Sequence, residues 1–151
     1  MATATVLTAA RINHRKVARR LARSGYTTVA DPLGERVSRH GRWDAAYTNK
    51  CDVADLPRAV IDTARKLIGL RPRDGIFCSF EGSPGEADAW PTVVAIARAV
   101  AAEVPLAVLD DHAGTTYLIH PHRGLLSPHD YEVNWGGTPA GDFLRRILGG
   151  N

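Results

Sequence analysis

The sequence predicts one α+β domain: a mainly antiparallel sheet covered by two or three helices. Three observations predict it. Apolar residues recur at intervals of three and four in segments long enough for helices. Short β-branched or aromatic runs lie between them, bounded by Gly, Pro and Asp. Two such runs, Leu106 to Asp110 and Thr115 to His120, are joined by Asp111-His112-Ala113-Gly114, a loop short enough for a hairpin. The length of 151 residues fits a single domain over residues 1–151. Composition agrees, because 44% hydrophobic and 23% charged residues describe a folded chain, neither disordered nor fibrous.

Thr3 to Thr8 reads as a short strand. Arg11 to Ser24 follows as an amphipathic helix, with Ile12, Val17, Ala18, Leu21 and Ala22 on one side and Arg11, Arg15, Arg19 and Arg23 on another, and Gly25 ends it. Tyr26 to Ala30 and Arg36 to His40 are strands around the turn Asp31-Pro32-Leu33-Gly34, and Trp43 to Thr48 is extended. Asp55 opens a helix on which Val60, Ile61, Ala64, Leu67 and Ile68 share a face up to Gly69. Gly75 to Phe80 has the compact apolar character of a buried strand, and Cys78 within it reads as core. From Asp88 a helical face runs through Trp90, Val93, Val94, Ala97, Val100, Ala101 and Val104, with Pro91 harmless in the first turn. Residues 121–141, rich in Pro and Gly, lack a signal for regular structure until Asp142 opens a short terminal helix, Phe143 to Leu148.

The order of elements suggests an internal repeat of residues 3–70 and 75–150, each half a strand, helix, hairpin and helix. Val17 to Ala22 aligned on Ile96 to Ala101 also matches Arg19 with Arg98, Val29 with Val108 and Asp31 with Asp110; after one inserted residue Gly34 meets Gly114 and His40 meets His120. Two such halves would share one core and leave a ligand cleft between them.

Net charge is +3 and unevenly placed. Residues 1–42 hold nine Lys or Arg against two Asp or Glu, whereas the other residues hold ten against fourteen. This polarity can steer an acidic partner toward the basic helix. Arg11, Arg15, Arg19 and Arg23 are the candidate binding residues, together with Trp135, a large aromatic in a glycine-rich stretch. Nucleic acid is a less fitting partner, because the segments flanking the arginine stripe read as extended and bring neither stacking aromatics nor a second DNA-binding helix. No apolar run nears the roughly 20 residues that span a bilayer, so no membrane association is expected. Two cysteines without motif spacing and a beginning without a secretory pattern point to the cytoplasm.

Chemistry concentrates in Asp110, Asp111, His112, His120, His122, His129 and Asp130. Imidazole and carboxylate together suit zinc or a similar ion, and a metal site on Asp110, Asp111, His120 and His122 would support metal-assisted hydrolysis. The opposing explanation is turn chemistry, in which Asp caps its own loop. Gly82-Ser83-Pro84-Gly85 falls one residue short of a nucleophile elbow, and no phosphate-cradling glycine pattern occurs, so no cofactor is implied.

Phe80-Glu81-Gly82, a helix, and then Val108 to Tyr117 with its Asp/Gly hairpin resemble the layout of small bacterial immunity proteins, which block a toxin by binding it. A doubled strand-helix-strand-strand order is also similar to the drug-binding domains related to gyrase inhibitors. The first resemblance implies a cytoplasmic, non-enzymatic protein whose partner is another protein. The alternatives are the metal-assisted hydrolase and a small-ligand-binding protein.

Overall fold

The computed structural model describes residues 1–32, 34–39, 45–69, 71–104 and 106–127. In chain order these form β1 (Ala2–Thr8), α1 (His14–Arg23), β2 (Tyr26–Asp31), β3 (Gly34–Arg39), β4 (Ala45–Cys51), α2 (Arg58–Ile68), β5 (Asp74–Phe80), α3 (Trp90–Glu103), β6 (Ala107–Asp110), β7 (Thr116–His120) and β8 (Gly124–Leu126). The eight strands make one sheet in the order β2-β3-β4-β5-β1-β6-β7-β8. Every neighbouring pair is antiparallel, which bears out the α+β expectation.

β1 lies inside the sheet. It pairs with β5 from Ala2↔Phe80 to Thr8↔Asp74, and with β6 from Thr5↔Asp110 to Thr8↔Ala107. Alternation along a strand sends its side chains to two different cores. On one face Ala2, Ala4 and Val6 join Ile76, Cys78 and Phe80 beneath α1 and α3. On the other, Leu7 joins Val108, Leu118 and Leu126 against Ala64, Leu67 and Ile68 of α2.

The helices differ in how far they sink. α3 buries Val93, Ile96, Ala97, Ala99, Val100 and Ala101, while Trp90 lies half-buried with its ring 5.9 Å from that of Phe80. α1 buries only Val17 and Leu21, packs on α3 and β2, and leaves its charged side in water.

Local chemistry moves several boundaries. α1 begins at His14, later than Arg11, because the Asn13 side chain accepts the Lys16 N–H at 3.1 Å and caps the helix. Asp55 does not open α2. It ends a short 3₁₀ turn, Val53–Asp55, capped by Asp52, and the α-helix starts after Pro57. Gly69, at φ +71, closes α2 in the left-handed conformation. Gly124–Leu126 is a strand where regular structure was not expected, paired from Leu118↔Leu126 to His120↔Gly124. The terminal helix at 143–148, Trp43 and Trp135 lie outside the described residues.

The strand-helix-three-strand order occurs twice, but the two meanders join the centre by opposite ends. β4, the last strand of the first, pairs with β5, whereas β6, the first of the second, pairs with β1. Among the described residues no helix is long and apolar enough to cross a membrane.

Candidate functional site

The basic side of α1 borders a groove of about 390 Å³. Arg20, Arg23 and Ser24 from the end of α1 form one wall, with Tyr26 at the start of β2. Ala95, Ala99 and Ala102 of α3 form the floor, and Pro121 and His122 of the β7–β8 turn close the far side around Arg98. The space exists because α3 presents alanines here, whose side chains stop at Cβ. A hollow of about 210 Å³ adjoins it, lined by Lys16, Arg19, Arg20, Arg23 and Glu103.

Two of the guanidinium groups are tied down. Arg20 Nε donates to Glu103 Oε1, the sole ion pair among the described residues. Arg98 Nε donates to the Pro121 carbonyl at 3.2 Å, and its Nη2 to the His122 carbonyl at 3.1 Å. Of the predicted arginine stripe, Arg23 lines both spaces and Arg19 the hollow, whereas Arg11 and Arg15 are exposed and line neither. Sequence reasoning missed Arg98 and Tyr26 as parts of this site. One available signal was that Arg98 is the lone basic residue in a mostly apolar helix whose only other charge is the terminal Glu103.

The described Asp and His residues do not converge, and His129 and Asp130 lie outside the described residues. Asp110 Oδ1 accepts the His112 N–H at 2.9 Å, and Asp111 Oδ1 accepts those of Ala113 at 2.8 Å and Thr115 at 3.0 Å. Both carboxylates therefore hold the hairpin loop, the turn chemistry that the sequence offered as the alternative to metal binding. Asp110 pairs with Thr116 at one end of β7, whereas His120 stands at the other. His120 Nδ1 accepts the N–H groups of His122 at 3.1 Å and Arg123 at 3.0 Å and so shapes the turn into β8. That role requires Nδ1 without a proton, and burial, with His122, Arg123 and Arg98 nearby, lowers the His120 pKa from its ordinary value. The rings of His120 and His122 stand 5.9 Å apart. Among the described residues no three His, Cys, Asp or Glu side chains gather where they could share an ion.

No family model, curated protein or solved structure matches the chain.

A second polar cluster lies on the sheet face that carries α2. Thr3 and Thr5 point to the same side of β1, and His112 folds across them, Nδ1 2.7 Å from the Thr3 hydroxyl and Nε2 2.8 Å from that of Thr5. A hydroxyl can donate or accept, so either tautomer of the ring is satisfied. The ring also stands 5.9 Å from Phe77. To reach this position His112 adopts φ +55, a conformation that non-glycine residues rarely occupy.

The nucleophile candidates have structural roles. Cys78 is fully buried, and burial raises its pKa to about 12, which keeps the thiol protonated and inert. The Ser83 carbonyl accepts the N–H groups of Glu86 at 3.1 Å and Ala87 at 2.9 Å, so this loop forms a turn ahead of α3.

Proposed function

We propose that the chain is a non-enzymatic binding protein that engages an acidic protein partner through α1. The observation that carries this is the exposed row Arg15, Lys16, Arg19 and Arg23, faced among the described residues lining the adjoining spaces by the single carboxylate of Glu103. Unneutralised charge of one sign on a rigid helix raises association rates with a partner of opposite sign and makes binding salt-sensitive. The engagement of Asp110, Asp111 and His120 with backbone amides supports a binding role over catalysis, since groups so employed are poorly placed to move protons for a substrate. Two free thiols, Cys51 and Cys78, suit a reducing compartment such as the cytoplasm. An immunity-type inhibitor is one form of this reading.

The test is affinity capture from the native source with the wild-type chain and with Arg15→Glu/Arg19→Glu/Arg23→Glu, at low and high salt. An acidic protein retained by the wild type alone, and released by salt, is the expected result. Equal retention by both chains, or retention of nothing, overturns the proposal.

A further inference from the structure

We infer that the groove between α1, α3 and the β7–β8 turn is a binding site for a small organic anion with a phosphate or carboxylate head. This goes beyond the protein-partner reading and stands without it. Its volume of about 390 Å³ lies in the range of small-molecule sites. Arg20, Arg23 and Arg98 bring three positive charges to its walls, and Glu103, on the adjoining hollow, offsets one of them. A guanidinium presents a planar fork that matches two oxygens of a phosphate or carboxylate, so this residue type selects the head group.

Preorganisation strengthens the inference. Glu103 holds Arg20 at Nε, and two backbone carbonyls hold Arg98 at Nε and Nη2, so both side chains are oriented before any ligand arrives. A ligand therefore loses little affinity to ordering them. The remainder of the groove suits an apolar body: Ala95, Ala99 and Ala102 form a smooth floor, and the half-buried Tyr26 supplies an aromatic wall. The anionic head meets the guanidinium groups while a flat, carbon-rich body lies along the alanines.

Phenyl phosphate, benzoate and phenol separate head from body. Each is titrated into the ¹⁵N-labelled full chain at moderate salt, and amide shifts are followed by NMR. Phenyl phosphate is expected to saturate and to move the amides of Tyr26, Arg98, Ala102 and His122, while phenol moves none of them. Benzoate binding at the same amides extends the class to carboxylates, and its failure narrows the class to phosphates; both results support the site. Arg23→Gln, a change at an exposed side chain, should weaken phenyl phosphate about tenfold. Ala102→Leu should abolish binding by filling the floor, without altering charge. The inference is overturned if phenyl phosphate fails to saturate by about 10 mM, if its shifts centre elsewhere, or if both variants bind it as the wild type does.

Discussion

Replacing His112 by glycine sets two effects of opposite sign against each other. The residue stands at φ +55, which costs a side-chain-bearing residue about 1–2 kcal/mol. Its ring in return bridges the Thr3 and Thr5 hydroxyls at 2.7 and 2.8 Å and lies 5.9 Å from the Phe77 ring. Two such hydrogen bonds contribute about 1 kcal/mol each, and the ring contact about 0.5–1 kcal/mol. The tethers outweigh the strain, so His112→Gly should destabilise the fold by about 1 kcal/mol. His112→Ala keeps the strain and loses the tethers, and should cost about 2–3 kcal/mol. Urea unfolding followed by tryptophan fluorescence measures both, with an unchanged slope as the control. The Thr3→Val/Thr5→Val pair adds a cycle: it should cost about 1–2 kcal/mol in the wild type and almost nothing beside His112→Gly. A glycine variant as stable as the wild type, or a coupling below about 0.3 kcal/mol, would mean that the ring tethers do not outweigh the backbone strain.

His120 binds a proton less readily in the folded chain than its ordinary value of 6.5 allows, so the unfolded chain takes up protons that the folded state refuses. Its contribution to stability is therefore complete above about pH 6.5 and declines as pH falls below it; urea midpoints from pH 8 to 5 should show this slope reduced in His120→Gln. Ile96, 1% exposed, borders a small void of about 20 Å³ with Val17, Leu21 and Ile76. Ile96→Ala should lose about 3–4 kcal/mol by urea unfolding, because three buried carbons go and the void grows; a loss below about 1 kcal/mol would mean that the core closes over it. Alkylation at pH 8 with mass-spectrometric mapping should label Cys78 only as fast as the fold opens. Cys51, whose pKa is raised by partial burial and by Asp52, Asp55 and Asp74, should react more slowly than an ordinary exposed thiol, and rapid labelling of Cys78 would contradict its burial.

Much of the fold was legible because it is written in local periodicity. The three-and-four spacing from Val60 to Ile68 and from Val93 to Val104 required helices with a buried face, and the Asp/Gly loop required a hairpin. Helix starts were less legible, since Asn13 and Asp52 compete as caps with equally plausible neighbours such as Asp55. β8 escaped because its three residues carry no pattern of their own; the preceding turn depends on an imidazole that accepts two amides. The site divided along the same line. Arginines three and four residues apart on α1 could be read as one face, but their meeting with Arg98 and Tyr26 depends on how α1 packs on α3 and β2. The Asp/His residues suggested a cluster by nearness in sequence, and the hairpin placed Asp110 and His120 at opposite ends of β7.

The position of β1 also bears on how the chain reaches this structure. The meanders β2-β3-β4 and β6-β7-β8 assemble from sequence neighbours, whereas β1 is flanked by strands made much later, β5 and β6. Closing such distant partners costs more chain entropy than closing either meander, so β1 is expected to dock after them. Without β1 in place, the edges of β5 and β6 that it pairs with have no hydrogen-bonding partner. At high concentration the first strand of another copy can pair with those edges as well as its own, so a domain-swapped dimer is the expected misassembly, which size-exclusion chromatography after concentrated refolding would reveal.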